Sequence, residues 1–378
     1  MRQLSFLHTS DLHLDAPFSS IGDEAKAHIR QNEVESTLYK ICERVQEERI
    51  ELLLISGDLF EDKYVKGSTI LKVKNIFSEL YNTEIIIVPG NHDPIYDNSY
   101  YKTTAWGSNV HILEDTKQAL FLEKLNTCVY CLGVKQDIKK DYDQLLNMEM
   151  EQDRFNILVF HGTVDMPFEE ENYNSITSQE LFSLGMDYIA LGHMHCYSEL
   201  KNGRTVLINP GSPEPLGFDE EGEHGFVQGI MTSPENKAKQ TVVRFISLAE
   251  RHYHNLEINI SDCVSDTSVI KKISKEQNLQ KSDLYKITTT GFISKDYTPD
   301  LGYITDGLKD MCFFIKIENR TSVRLAYEEY LEDPGIKGEF VRRILDMLQA
   351  EGSQERRYTL ELAMQYGLQA LENERVDG

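Results

Sequence analysis

Apolar and polar positions follow two different patterns, one helical and one strand-like, along roughly the first 235 residues of the chain. Helical periodicity covers 24–48 and 70–81, and the first of these segments places Val34, Leu38 and Ile41 on one stripe. Short apolar runs that are typical of buried strands lie at 4–8, 52–56, 84–88, 157–160 and 188–191. Strands that alternate with helices predict an α/β domain, which we place at residues 1–250.

The pattern changes after about residue 250. Strand-like runs and helical patterns take turns through the segments 256–260, 265–276, 284–290, 299–311 and 313–318. This order predicts a small α+β domain over residues 251–330 that caps the first domain.

Residues 331–378 form a helical tail with two amphipathic stripes. The first stripe consists of Val341, Ile344, Leu345 and Leu348, and the second of Leu360, Ala363, Met364, Gly367, Leu368 and Leu371. These helices either pack on their own domain or form an arm that binds a partner.

The net charge of −23 over 378 residues limits what this chain can bind by itself. A simple nucleic-acid-binding module normally carries a basic surface, because neutralisation of phosphates by Lys and Arg dominates its affinity. The acidic balance therefore argues against such a module. It does not exclude a metal-dependent nuclease, because bound divalent ions are the largest local positive charges of a site.

The six cysteines are scattered, and only Cys128 and Cys131 have C-x-x-C spacing. These two fall in an apolar run, so we interpret them as thiols of the core rather than as half of a zinc site. Such cysteine usage suits a reducing cytosol, and we predict a cytoplasmic protein. No apolar run reaches about 20 residues, and a strand starts almost at Met1, so neither a membrane span nor a signal peptide is expected.

Polar residues follow five of the predicted strands at the point where each strand ends. In chain order they are Asp11 and His13, Asp58, Asn91 and His92, His161, and His193 and His195. Sites in α/β sheets form in the crevice beyond the carboxyl ends of the strands, so these residues should converge. Their mixture of imidazole, carboxylate and amide groups is what a two-metal hydrolase needs, and it suits Mn²⁺, Fe²⁺ or Zn²⁺.

The five elements D-x-H, G-D, G-N-H-D, H-G and G-H-x-H resemble those of the calcineurin-like metallophosphoesterases. Residues 8–14 and 56–60 look like the SbcD-type DNA repair nuclease branch of that superfamily. Residues 12–18, 209–214 and 366–368 are most similar to its YhaO-like subgroup. The resemblance implies a four-layer αββα sandwich, to which the small α+β capping domain and the C-terminal helical tail are added.

The same resemblance implies a role for each residue of the set. Asp11, His13 and His195 would bind one metal ion, Asn91, His161 and His193 would bind the other, and Asp58 would bridge the two. His92 would not bind metal; it would protonate the leaving group or stabilise the transition state. Two Mn²⁺ ions are the favoured cofactors, with Fe²⁺ or Zn²⁺ as alternatives.

Two positions, Glu61 and Asp15, depart from the pattern of the nuclease branch. Glu61 stands where those nucleases commonly have Asp or His, a position that orients the general acid or touches the substrate, and Asp62 follows it. Asp15 replaces a glycine that often follows the D-x-H pattern. We therefore expect these three residues to orient the acid or to contact the substrate.

The leading hypothesis is a metal-dependent DNA exonuclease or endonuclease that acts in DNA repair with an SbcC-type ATPase bound to residues 331–378. That partner would supply the basic DNA-binding surface that the acidic chain lacks. A small-substrate phosphodiesterase, acting on nucleotides or other phosphate esters, is the alternative. A regulatory subunit with a structural metal centre is a third hypothesis. Relatives often form homodimers, although the sequence carries no dimer signature.

Overall fold

The computed structural model describes residues 2–114, 119–132, 138–148, 150–166, 173–235 and 238–371. The chain divides into two compact units, Met1–Tyr253 and His254–Gly378. The helices of the predicted tail belong to the second unit. No helix within the described ranges combines the length and the apolar character needed to cross a membrane.

Two mixed sheets form the frame of the first unit. Its strands are β1 (Arg2–Thr9), β2 (Leu52–Ser56), β3 (Glu84–Val88), β4 (Val110–Ile112), β5 (Leu120–Leu122), β6 (Thr127–Leu132), β7 (Phe155–His161), β8 (Tyr188–Gly192), β9 (Ser198–Asn202), β10 (Thr205–Asn209), β11 (Gly225–Ser233) and β12 (Gln240–Ser247). The sheet orders are β12-β11-β1-β2-β3-β4 and β5-β6-β7-β8-β10-β9. Strands β1 to β4 are parallel in the first sheet, and β6, β7, β8 and β10 are parallel in the second.

Helices cover the sheets, which pack on each other through a shared apolar core. The helices are α1 (Glu24–Glu47), α2 (Gly67–Glu79), α3 (Tyr100–Thr103), α4 (Ile138–Leu146) and α5 (Ser178–Ser183). Because side chains alternate between the faces of a strand, Phe6 and Leu54 of the first sheet meet Ile157 and Ala190 of the second. The opposite face of the second sheet packs against Leu145 of α4 and Leu181 of α5. This arrangement confirms the predicted α/β sandwich.

The two cysteines with C-x-x-C spacing lie on opposite faces of β6. Cys131 belongs to the core between the sheets, and Cys128 to the core under α4 and α5. Residues three apart on a strand point in opposite directions, so these thiols cannot share a ligand. Both are buried and neither forms a disulfide, which confirms that they are core residues.

The chain continues with a smaller sheet and four helices. These elements are β13 (Tyr253–Asn259), α6 (Asp266–Glu276), β14 (Leu284–Thr290), β15 (Phe292–Ile293), α7 (Leu301–Leu308), β16 (Phe314–Asn319), β17 (Ser322–Val323), α8 (Ile336–Ala350) and α9 (Gln354–Leu371). Strands β13, β14 and β16 form one sheet, in which β14 and β16 are parallel. Helices α6 and α7 bury their apolar faces in the same core as this sheet.

Helices α8 and α9 pack on each other at close range. Val341 and Leu368 are fully buried between them, and a Cβ added at Gly367 would lie 2.2 Å from the Phe340 ring. Other apolar side chains of α8 remain exposed, among them Ile336 and Met347 at 73% and 53%. The apolar residues of the tail are therefore only partly used inside the second unit.

Candidate metal centre

The eight polar residues predicted at strand ends converge at one edge of the sandwich. Asp11 and His13 follow β1, Asp58 follows β2, Asn91 and His92 follow β3, His161 ends β7, and His193 and His195 follow β8. Residues from both sheets touch here, since the backbone N–H of His193 donates to both oxygens of Asp11 at 3.1 Å. The crevice beyond the strand ends is thus built from the two sheets together.

Asp11, His13 and His195 form the first of two groups that could hold a cation. One ligand atom from each lies within 4.8 Å of the others. Nε2 of His195 is 3.8 Å from Oδ1 of Asp11, and the rings of His13 and His195 are 5.1 Å apart. Imidazole nitrogen and carboxylate oxygen are a donor set that borderline divalent ions favour.

Asp58, His161 and His193 form the second group, again with ligand atoms within 4.8 Å of one another. Asn91 adds a neutral oxygen to it. Oδ1 of Asn91 lies 3.0 Å from Nε2 of His161 and 3.1 Å from Nδ1 of His193. All members of both predicted ligand sets are thus brought together.

Asp58 stands between the two groups. Its Oδ2 atom is 3.6 Å from Nε2 of His13 and 3.2 Å from Nε2 of His161. A single carboxylate oxygen therefore faces one imidazole of each group, which is the position that a bridging ligand requires. His92 also lies near His13 and Asp58, close enough for those three to form a further geometric group.

Two features of the donor atoms fit bound cations. Nε2 of His13 is buried and has no hydrogen-bond partner among the described residues, an arrangement that normally costs free energy. Nδ1 of His161 donates to the carbonyl of Ser56 at 2.8 Å, and its Nε2 faces the oxygens of Asp58 and Asn91 at 3.2 and 3.0 Å. An ion that replaces the Nε2 proton would have this nitrogen and both oxygens within reach as ligands.

Nearby carboxylates raise the pKa values of two of the imidazoles. Burial lowers the pKa of His161, but the Asp58 carboxylate outweighs it and raises the value to about 9. Burial likewise lowers the pKa of His195, whereas its hydrogen bond to Glu220 and the charge of Asp11 raise it to about 9. Burial and the neighbouring His161 lower the pKa of His193 to about 4. The carboxylates beside His161 and His195 therefore favour positive charge at these two rings.

Strained backbone holds the ligands in place. Asp11, His13, Asp58 and His193 all have positive φ angles, of 51°, 47°, 50° and 96°. Such angles are uncommon for residues with a Cβ, and they cluster where function requires them.

Two glycines of the motifs allow the loops to approach each other. A Cβ at Gly57 would lie 2.0 Å from Nδ1 of His161, and one at Gly192 would lie 1.9 Å from the carbonyl oxygen of Ser56. Neither position tolerates a side chain, because the atoms it would meet are a ring nitrogen of the centre and the backbone.

Glu61 contacts two imidazoles with one oxygen. Its Oε2 accepts from Nδ1 of His92 at 2.9 Å and lies 3.3 Å from Nδ1 of His13. Burial raises the pKa of Glu61, but these two hydrogen bonds lower it more. Both rings are thereby held with Nε2 available, and the His92 side chain is 44% exposed. Sequence reasoning expected an acid-orienting role for Glu61, and this contact is the geometry that such a role needs.

Asp62 and Asp15 point to other partners. Asp62 accepts a hydrogen bond from the hydroxyl of Tyr96 at 2.8 Å. Asp15 accepts from the backbone N–H of Lys66 at 2.9 Å, just before α2 begins. Neither carboxylate belongs to a candidate metal group among the described residues.

Two supporting carboxylates were missed by sequence reasoning. Glu220, which is 5% exposed, accepts from Nδ1 of His195 at 2.6 Å. Asp93 accepts from the backbone N–H groups of Asp58, Leu59, Phe60 and Gly90. Burial, followed by the charge of Asp58, raises the pKa of Asp93 to about 6. Asp93 is the last residue of G-N-H-D and so carried a signal, whereas nothing in the sequence singles out Glu220.

His8, left outside the predicted set, links the sheets behind the centre. Its Nε2 contacts Oγ of Ser56 at 2.7 Å, and its Nδ1 contacts the Tyr188 hydroxyl at 2.9 Å. Ser56 donates its own proton to the carbonyl of Leu191, so Nε2 of His8 must be the donor to Ser56. His8 is therefore a neutral structural residue.

A model of the calcineurin-like phosphoesterase family matches residues 4–197, just over half of the chain and the whole of the metal centre. The chain belongs to the calcineurin-like phosphoesterase family. Members of this family bind a dinuclear divalent metal site, and this phosphoesterase has two candidate ligand groups for one.

Three relatives place this phosphoesterase within the family. It is 26% identical over 235 residues to the uncharacterised metallophosphoesterase YhaO of Bacillus subtilis, covering 60% of this chain and 57% of YhaO. It is 27% identical over 253 residues to the DNA double-strand break repair protein Mre11 of Methanopyrus kandleri, covering 57% and 51%. It is 28% identical over 240 residues to a probable cyclic nucleotide phosphodiesterase of Vesicomyosocius okutanii, covering 59% and 91%. The chain thus spans little more than half of the first two relatives, and they agree with the predicted SbcD-type, YhaO-like branch.

Proposed function

We propose that this phosphoesterase hydrolyses phosphodiester bonds of DNA during repair, as an exonuclease or endonuclease that uses two Mn²⁺ ions. The observation that carries the proposal is the Asp58 oxygen that faces both candidate ligand groups, with the His92 imidazole beside them. The similarity to Mre11, a DNA double-strand break repair protein, supports DNA as the substrate.

Each polar residue then has a distinct task. Asp11, His13 and His195 would hold one ion, Asn91, His161 and His193 the other, and Asp58 both. Divalent ions at such a site neutralise charge on the phosphoryl group and make water a nucleophile at neutral pH. His92 donates a proton from Nε2 to the leaving oxygen, and Glu61 holds the opposite ring nitrogen.

The charge around the centre favours a partner protein. The described loops that carry the candidate ligands and their supporting residues cover 10–18, 57–66, 89–99, 162–166, 173–177, 193–197 and 210–224. Their only Lys or Arg residues are Lys63 and Lys66, too few to hold a DNA backbone. An SbcC-type ATPase bound to the exposed apolar side chains of α8 would add the missing basic surface, in the cytoplasm.

Nuclease assays with matched variants test the proposal. The chain, stripped of metal and reloaded with Mn²⁺, should cleave single- or double-stranded DNA when mixed with an ATPase encoded beside it, and bis-p-nitrophenyl phosphate alone. His92→Ala should lose at least about 100-fold in kcat while its Mn²⁺ content stays at the wild-type level. His28→Ala, which changes an exposed histidine of α1, should behave as wild type. A loaded protein that cleaves neither DNA nor bis-p-nitrophenyl phosphate would refute the proposal.

Hydrolysis of small phosphodiesters is the second candidate function. The scarcity of basic residues in the same loops favours a substrate with one or two phosphates over a polyanion. The probable cyclic nucleotide phosphodiesterase that aligns over 91% of its length supports the same reading. A kcat/KM for cyclic nucleotides or dinucleotides that exceeds the value for DNA, with and without the ATPase, would favour this function over the nuclease.

A further inference from the structure

Tyr96 presents a partly exposed aromatic ring on the loop that also carries Asn91 and His92. The residue lies in the loop between β3 and α3 and is 46% exposed. Its hydroxyl donates a hydrogen bond to Oδ2 of Asp62 at 2.8 Å. An exposed tyrosine side chain without a hydrogen bond would sample several rotamers. The hydrogen bond to Asp62 favours one of these orientations of the Tyr96 ring.

The same Asp62 connects Tyr96 to the proposed acid. The backbone N–H of Asp62 donates to the carbonyl of His92 at 3.0 Å. The side chain of one residue thus holds Tyr96 while its backbone holds His92. Tyr96 is therefore connected through Asp62 to the loop that carries the proposed acid.

The loop that carries the ring is itself fixed. Asp93, three residues before Tyr96, anchors it through hydrogen bonds to the loop after β2. The carbonyl of Tyr96 accepts from the N–H of Ser99 at 3.0 Å, which closes a turn just before α3. A group ordered before binding loses little entropy when a ligand packs on it, which increases affinity.

Basic side chains are scarce on this side of the centre. Asp62, Asp93 and Asp97 all lie close to Tyr96 in the chain or in space, and the described loops that carry the candidate ligands contain Lys63 and Lys66 as their only Lys or Arg. An aromatic face is neutral and stacks on any nucleobase, and it contributes where Lys and Arg are scarce. Aromatic stacking is the interaction by which this edge can recognise a nucleotide.

We propose that Tyr96 stacks on the base of the nucleoside that leaves, which makes the centre selective for phosphodiesters whose leaving group carries a planar ring. The inference rests on the proposed phosphodiesterase function and names its substrate class. It makes Tyr96 a substrate-binding residue and Asp62 the positioning residue that holds it.

Dinucleotides that differ by one base test the inference. The substrates are thymidylyl-thymidine and its two abasic isomers, in which either sugar lacks its base, each assayed with Mn²⁺-loaded protein. One stacked base is worth about a factor of ten in binding. Wild type should therefore show a KM about tenfold higher for the isomer that lacks the leaving base, with a similar kcat.

Three variants complete the design. Tyr96→Leu should raise the KM for the full dinucleotide about tenfold and leave the abasic isomer unchanged, with kcat preserved for both. Tyr96→Phe, which keeps the ring and loses the tether, should raise the KM by a smaller factor. Tyr81→Leu is the matched control, because Tyr81 is 76% exposed and precedes β3 at the opposite edge of the sheet.

The outcomes separate the two proposals. If wild type cleaves the dinucleotides and Tyr96→Leu changes the KM for full and abasic substrates alike, or changes neither, the stacking role is refuted and the phosphodiesterase function stands. If the loaded wild type cleaves no phosphodiester, both are refuted together.

Discussion

Replacing Glu220 with glutamine should weaken one half of the metal centre and leave the other half intact. The carboxylate accepts from Nδ1 of His195 at 2.6 Å, which directs the opposite ring nitrogen to the ion. Its second oxygen accepts from Oγ of Ser212 at 2.8 Å and from the N–H of Leu216 at 3.0 Å. A glutamine offers one acceptor and one donor, so its NH₂ group must face another donor on one of the two sides.

The size of the effect follows from burial and from the role of the contact. Loss of the partner that orients a metal-binding histidine typically weakens metal affinity about 10- to 100-fold, or about 1.4–2.7 kcal/mol. Glu220 is 5% exposed, so water cannot replace the lost pairing. The mismatched amide should also lower the free energy of unfolding by about 1–3 kcal/mol.

Calorimetric titration of Mn²⁺ into metal-free protein measures both affinities. We expect the weakening to be confined to the ion held by Asp11, His13 and His195, so a two-site curve should separate into a normal and a weakened step. Glu221→Gln, at the exposed neighbouring position, is the control and should leave both steps unchanged. Two wild-type affinities in a folded Glu220→Gln protein would refute the reasoning.

Three further substitutions probe the frame, all by urea unfolding. Gly57→Ala should lower the free energy of unfolding by about 1–3 kcal/mol more than Gly185→Ala does. Both glycines have positive φ, but only at Gly57 would a Cβ meet other atoms. Equal decreases for the two variants would contradict this reasoning. Burial lowers the pKa of His8 to about 3, below the value of about 6.5 in an unfolded chain, so the stability that depends on neutral His8 is complete above pH ~6.5 and declines as the pH falls towards about 3. His8→Gln should hence lower the free energy of unfolding by about 1.4 kcal/mol less at about pH 5.5 than at about pH 7.5. An equal decrease at both pH values would contradict the lowered pKa of His8. Arg30→Met should lower the free energy of unfolding by about 3–5 kcal/mol, because it removes the guanidinium that pairs with the buried Glu214 carboxylate at 3.0 Å. Adding Glu214→Gln to this variant should restore part of the lost free energy. Additive decreases for the two substitutions would disprove their coupling.

Strands could be predicted from the sequence where apolar runs are uninterrupted. Strands β2 and β3 occupy the predicted segments 52–56 and 84–88, because both faces of these central strands are buried. Strand β9 gives no such signal, since all of its residues are exposed at the edge of the sheet. Strand β12 alternates between half-buried and exposed positions and is equally weak as a pattern.

The members of the metal centre could be predicted because each one stands at the end of an apolar run. Glu220 stands in a long loop without that context, and its contact with His195 depends on how residues 210–224 fold back. The pairing of Glu61 with two imidazoles could not be predicted either, because sequence spacing shows that a carboxylate is near the motif but not which rings it contacts. Tyr96 gave no signal for the same reason.

The oxygen of Asp58 that lies between His13 and His161 joins residues from different sheets. Each of the two ligand groups draws on both sheets, so neither could form on one sheet alone. Bound ions would then hold the two sheets together, and the affinity for metal would be coupled to the packing of one sheet on the other. Amides in β1–β3 and β6–β8 should therefore slow their hydrogen exchange as one block when the protein is loaded, and any opening that parts the sheets would release both ions at once.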